Sequence, residues 1–189
     1  PTQLSMWAKC QLQYWHRYIM GIKRPPGVSA VLGRAVDTSV TDNLNAKIAS
    51  GGAPLAFDDA PRRARDSVYS SWRDEPPVID PSDKIQTSGE CADVAANLAG
   101  LHYAKVAPDI TPIGTQVKRS YEPDGYDFTV SGVLDVLEEG RVRDTKTSGK
   151  KPDDEAADRG SYADQLTMYG LMEGAPALQL DYLVNVQKP

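Results

Sequence analysis

The stretch Gly132-Val133-Leu134-Asp135-Val136-Leu137-Glu138-Glu139-Gly140-Arg141-Val142-Arg143-Asp144-Thr145-Lys146-Thr147 reads as two strands around a tight turn. Alternation enters it from upstream: Phe128, Val130, Gly132, Leu134 and Val136 fall on one face, Thr129 and Ser131 on the other. Glu139-Gly140 supplies the turn, because glycine adopts φ > 0 without steric cost. With those two residues as the loop, Glu138 faces Arg141. Counting back along both strands, Asp135 faces Asp144, with β-carbons about 4.5–5.5 Å apart. A four-residue loop keeps this register and a three-residue loop breaks it. Lys146 lies two residues beyond Asp144 and so points to the same face.

Two carboxylates directly opposite each other repel. A divalent cation is a physical reason to keep them together, and carboxylate oxygens suit Mg²⁺ or Mn²⁺, which retain several waters and bind through few protein carboxylates. A neighbouring ammonium group then stabilises developing negative charge or helps activate a water. The competing reading is an exposed hairpin with ordinary surface charges, since a bare Asp-x-Lys is a common tripeptide.

The 189 residues suit one domain, or one with an insertion, and are enough to bury a substantial core. Charged residues make up 25% and hydrophobic ones 40%, ordinary values for a globular chain. No apolar run of about 18 residues occurs, so no membrane span is expected, and no signal peptide is visible. The chain opens at Pro1 and ends, at Val184 to Pro189, just after a strand, so the natural protein is expected to continue. Cys10 and Cys91 form no CxxC motif and no disulfide framework, which fits a reducing, cytoplasmic compartment. A net charge of −5 argues against a uniformly basic nucleic-acid coat but leaves room for a local basic groove.

In chain order, Leu4 to Met20 reads as a helix rich in aromatics, with Trp7, Tyr14, Trp15 and Tyr18 expected in the core. Lys9, His16 and Arg17 suit the side of a nucleic-acid groove. Val31 to Ser50 is a second helix. On it Gly33 and Asp37 share a face, and Asp37 lies among Ala35, Val36 and Val40. A buried acid there needs a partner, and a metal is one candidate; an exposed polar-face Asp is the other reading. Pro61 to Arg73 and Gly89 to Val106 are further helices, the first with a basic patch of Arg62, Arg63 and Arg65. Thr115 to Glu122 is a first strand, Ser148 to Gly160 a polar, mobile connection, Ser161 to Glu173 a helix, and Leu178 to Val186 a final strand. Gln165 and Tyr169 project from one helix face. The order gives a mixed α/β (α+β) arrangement, its carboxylates at the centre of the sheet. It is expected as a single domain, 1–189, with a helical part over 1–110 and a sheet and helix part over 111–189.

These pieces resemble the PD-(D/E)XK nuclease superfamily, and within it the RecB-like exonuclease branch. The resemblance rests on four ordered motifs: Gly33 to Asp37, Gly132 to Asp135, Asp144-Thr145-Lys146-Thr147, and Gln165 to Tyr169. The opening, Leu4-Ser5-Met6-Trp7 through Cys10 to Tyr18, is similar to the family's Ser-x-x-x-x-x-x-Cys helix. Asp37 stands where the family usually has His, Gln11 follows Cys10 where Pro is common, and Gln116 occupies a strand position that often carries Glu. Relatives among the CRISPR-adaptation nucleases hold an iron–sulfur cluster on four cysteines. With two cysteines, no such cluster is expected here.

The resemblance implies a restriction-endonuclease-like core, a central mixed sheet with flanking helices. It implies Mg²⁺- or Mn²⁺-dependent hydrolysis of DNA phosphodiesters, as an exonuclease of phage or bacterial recombination and repair. It places the metal on Asp37, Asp135, Asp144 and the Thr145 carbonyl. Lys146 would orient or activate the attacking water. Gln165 and Tyr169 would position substrate or the lysine, and Thr147 and Ser148 would donate to a phosphate. DNA is the implied partner, with a homo-oligomer or a recombination protein supplying further basic surface. A catalytically impaired DNA-binding or scaffolding domain of the same fold, and an unrelated α/β binding module, are the alternatives.

Overall fold

A computed structural model describes residues 2–153 and 160–185. The helices are α1 (Thr2–Lys9), α2 (Gln11–Tyr14), α3 (Val28–Ser50), α4 (Asp59–Asp74), α5 (Ser88–Lys105) and α6 (Gly160–Glu173). The strands are β1 (Gly114–Tyr121), β2 (Val130–Glu138), β3 (Arg141–Ser148) and β4 (Ala177–Val184). The strands form one mixed sheet in the order β1-β2-β3-β4. The first three run antiparallel to their neighbours, and β4 joins β3 in parallel after the α6 crossover.

Local chemistry accounts for the helical layer. Thr87 and Glu90 cap the start of α5 reciprocally, side chain to backbone in both directions. The buried face of α5 is mostly small, with Cys91, Ala92, Ala95, Ala96 and Ala99, which lets α3 and α4 approach closely. Val31, Ala35, Val36, Val40 and Leu44 of α3 recur at helical spacing against it. Each buried Val or Leu contributes roughly 1.5–3 kcal/mol. On the other side of the sheet, Tyr169 of α6 packs on Leu134, Leu137 and Val142.

The central hairpin has the expected register near its turn. Glu138 pairs with Arg141, Leu137 with Val142 and Val136 with Arg143, and Gly140 has φ 71°. The single-face alternation read through Leu134 and Val136 does not hold. Val136 belongs to the core beneath α3, α4 and α5, whereas Leu134 packs with Tyr169 of α6. Their partners on β1 behave alike: Thr115 faces Val136 and bonds to Asn45 of α3, while Val117 faces Leu134 and packs against the α6 side. Both strands therefore exchange faces between these pairs, at Gln116 and Asp135. Gln116 has φ 49°, a left-handed conformation rare for a residue with a side chain. The irregularity lies where two strands must twist together to turn over.

Other expectations need correction. The helix expected over Leu4 to Met20 is broken at Cys10, which is extended (φ −160°, ψ 102°), and it ends in a π-helical turn, Trp15–Ile19. Its aromatics are not core: Trp7 and Trp15 are exposed, and Tyr14 and Tyr18 are half-buried. The basic patch on α4 is neutralised, since Arg62 pairs with Asp59, Arg63 with Asp42 and Arg65 with Asp93. The expected connection over 148–160 lies outside the described residues at 154–159, as does the Val186 end of the last strand. Among the described residues, no helix is long and apolar enough to cross a membrane.

Candidate active site

β3 carries Asp144 and Lys146 toward α6. Asp144 is 1% exposed. The Gln165 side-chain amide of α6 donates to Asp144 Oδ1 at 2.8 Å and to the Tyr169 hydroxyl oxygen at 2.7 Å. Spacing of four residues on α6 lets one amide reach both. Lys146 Nζ lies 2.6 Å from Asp144 Oδ2, an ion pair outside hydrogen-bond alignment, so this buried oxygen has no aligned donor.

Asp135 arrives from β2. The ladder pairing stops one step short of it, at Val136 and Arg143. Its carboxylate instead accepts the Thr145 N–H at 3.3 Å and neighbours Asp144. Burial pushes the Asp135 carboxyl up to about 7, helped by repulsion from Asp144 and Asp37 and opposed by Lys146 and the Thr145 N–H. Asp144 is likewise raised by burial, against the pull of Lys146.

Asp37 approaches from α3. It is half-buried, and burial raises its carboxyl while Lys146 opposes the rise. The Gln116 amide lies 3.3 Å from each Asp37 oxygen and 3.5 Å from Thr41 Oγ1. Gly33, one turn earlier, brings α3 against β3: a β-carbon there would stand 3.6 Å from Thr147 Oγ1. Burial holds the Tyr169 hydroxyl up at about 12, so it keeps its proton, with the three aspartates adding to the rise. The structure thus gathers Asp37, Asp135, Asp144, Lys146, Gln165 and Tyr169 into one electrostatic neighbourhood, beside Thr145.

A family model, that of the PD-(D/E)XK nuclease superfamily, matches residues 1–181. The chain belongs to that superfamily. No curated protein and no solved structure matches the chain. The four-stranded mixed sheet flanked by helices agrees with the restriction-endonuclease-like core expected for a PD-(D/E)XK chain. Membership makes it a member of a nuclease superfamily that generally uses divalent metal and acts on DNA.

Do these residues suit such a metal? Three buried or half-buried carboxyls, all raised by burial, provide hard oxygen donors short of positive charge. Asp144 Oδ2 is a buried acceptor without an aligned donor. Both observations fit Mg²⁺ or Mn²⁺. Among the described residues no three His, Cys, Asp or Glu side chains are gathered into a ready-made metal cage.

Sequence reading left one PD-(D/E)XK site residue unassigned, Gln116. It lies opposite Asp135 by register, in a left-handed backbone, with its amide on Asp37. The resemblance marks its position as one that often carries Glu, but the strand pattern alone does not show its contact with Asp37. Only the packing of α3 on β1 shows that its amide meets an acid.

Proposed function

We propose that this chain is a Mg²⁺- or Mn²⁺-dependent deoxyribonuclease of the RecB-like exonuclease kind, acting in bacterial or phage DNA recombination or repair in the cytoplasm. It works as a single domain, with a helical part over 1–110 and a catalytic part over 111–189. Its partner is DNA, with a second copy or a recombination protein adding basic surface. The observation that carries the reading is the buried relay Lys146–Asp144–Gln165–Tyr169, set beside an Asp135 carboxyl raised to about 7. Perturbed acids in such clusters are a mark of functional sites.

Asp37, Asp135 and Asp144, with the Thr145 carbonyl, would hold the metal. When bound, it supplies positive charge that offsets the phosphate and the charge developing as the bond breaks. Lys146 has donors and no acceptor, so it cannot ligate; its ammonium holds the attacking water and stabilises the phosphoryl oxygens. Gln165 fixes the orientation of the Asp144 carboxylate and presents the Tyr169 hydroxyl, whose retained proton is available to a phosphate oxygen. Gln116 restrains Asp37.

The test is cleavage of end-labelled linear and closed circular DNA with Mg²⁺, Mn²⁺ or EDTA. Loss of end label from linear DNA only, abolished by EDTA and by Asp144→Asn, is the expected result. DNA binding without cleavage under every metal condition would overturn it in favour of the scaffolding role.

A further inference from the structure

Two aromatics of the N-terminal helices, the exposed Trp7 and the half-buried Tyr14, face a groove. About 720 Å³ in volume, it runs between α1 and β2 and is lined by Trp7, Tyr14, Phe128, Thr129, Ser131 and, at its inner end, Tyr169. Trp7 and Phe128 are each 52% exposed, a poor arrangement for rings that serve only packing. Tyr169, which lines the groove, accepts from the Gln165 amide that also donates to Asp144, so one residue links the groove to the candidate active site.

Charge is distributed to match. Five of the chain's 21 basic residues and none of its 26 acidic ones precede Asp37. Among the described residues, Lys9, Arg17, Lys23 and Arg24 form no ion pair, unlike the arginines of α4. Arg17 and Arg24, with His16, line a second cleft of about 340 Å³, formed by the π-helical turn and the loop that follows it. Arg17 lies 5.8 Å above the Tyr18 ring, and Tyr18 lies 5.1 Å from Tyr14. Across the groove, the loop leading to Phe128 carries Glu122, Asp124 and Asp127. A bound polyanion would therefore keep its phosphates toward the N-terminal helices and turn its bases toward Trp7 and Phe128.

We propose that this groove binds single-stranded DNA, its bases stacked on Trp7, Tyr14 and Phe128 and its phosphates facing Lys9, Arg17 and Arg24, and delivers the strand past Tyr169 to the catalytic carboxylates. The proposal rests on the nuclease reading and specifies its substrate as a single-stranded end. Aromatic rings stack any base, so recognition is tolerant of sequence, and the phosphate contacts make it dependent on salt. Duplex DNA offers no free base faces to such a groove.

The experiment measures binding of fluorescein-labelled oligo-dT and of a duplex of equal length to the full chain in EDTA, by anisotropy over a salt series. Alongside it runs metal-dependent cleavage of the same DNAs. Trp7→Ala and Phe128→Ala are both half-exposed sites, and a melting curve on each confirms folding. Each is expected to weaken oligo-dT binding roughly 5- to 100-fold with little change for duplex. Arg17→Gln with Arg24→Gln should reduce the salt slope by about 0.7 for each phosphate left without its cation. Unchanged oligo-dT affinity in both aromatic variants would overturn the groove proposal, whether or not the chain cleaves DNA. Loss of self-association in those variants, with DNA binding intact, would overturn it in favour of a contact between copies. Aromatic-dependent oligo-dT binding with no cleavage under any metal would support the groove and remove the nuclease reading.

Discussion

Replacing Lys146 by methionine keeps the stem and removes the ammonium, which isolates its charge. In the metal-free protein that ammonium stands 2.6 Å from Asp144 Oδ2, with Asp144 1% and Lys146 24% exposed. Breaking a fully buried pair by removing one partner costs about 3–5 kcal/mol. Water already reaches part of Lys146, which screens the loss. About 2 kcal/mol is therefore expected in EDTA at pH 8, which for a chain of this size lowers Tm by about 4–8 °C. Mn²⁺ replaces the missing positive charge, so saturating Mn²⁺ should recover most of that deficit. Single-turnover cleavage should remain at least about 10²-fold down, the scale of a lost charge-stabilising or proton-transfer group. Scanning fluorimetry in EDTA and Mn²⁺, with cleavage on the same samples, reads all three. A deficit that Mn²⁺ leaves untouched while raising the wild-type Tm would refute the idea that cation and ammonium serve the same carboxylate. Full cleavage by Lys146→Met would refute its catalytic role.

Asp135→Asn should raise metal-free stability at pH 8 by about 1–3 kcal/mol while abolishing Mn²⁺-linked stabilisation and cleavage. The folded carboxyl, up at about 7 against about 3.9 unfolded, favours the fold when protonated, and that contribution is lost as pH rises through 7; chemical melts at pH 6 and 8 check the sign. His102 acts oppositely. Burial lowers it to about 4, with Asp181 opposing and Arg143 and Lys47 reinforcing, so its contribution is complete above about 6.5 and lost as pH falls toward 4, about 2 kcal/mol of it by pH 5. The stability difference between wild type and His102→Leu, measured from pH 8 to pH 5, should shift by that amount, and a flat difference would contradict it. Gln165→Leu should lower single-turnover cleavage about 10- to 100-fold with Mn²⁺ affinity reduced far less than in Asp144→Ala; equal loss of affinity in both would make Gln165 part of the ligand set.

Much of the sheet was legible because its signals are local. Glu139-Gly140 with hydrophobic alternation on both sides specifies a hairpin, and the turn chemistry fixes the register at Glu138 and Arg141. The Gln165 and Tyr169 pair was legible because helical spacing is rigid. The aromatics of the N-terminal helices were misplaced because a ring's hydrophobicity does not say whether the fold supplies a partner, and here Trp7 and Trp15 are left half-exposed among the described residues. The face exchange at Gln116 and Asp135 was illegible for a stronger reason. It needs two strands to turn over at facing positions, and neither strand's pattern contains the other. Left-handed backbone at Gln116 costs on the order of 1–3 kcal/mol and persists only where the surroundings impose it.

The two sides of β3 show what the surroundings impose. Arg143 is buried and answered by Glu138 and Asp181, and Glu138 also accepts the Thr111 N–H at 2.8 Å. With Arg141 3.9 Å from Glu138 Oε2, two guanidiniums there meet two carboxylates in a closed network, the form a buried charge takes when its task is structural. One residue along, on the other side, three carboxyls share a single ammonium. Asp144 has Lys146 and one amide, Asp135 one backbone N–H, and Asp37 one amide 3.3 Å from each of its oxygens. The same strand thus pairs charge fully on one face and leaves it short on the other. Chain chemistry alone does not require the deficit, since a second Lys or Arg at Gln116 or Gln165 would remove it. A site that must admit a cation and then a phosphate cannot carry its own full complement of positive charge. On that argument Gln116 and Gln165 are neutral because they hold carboxylates in place without neutralising them.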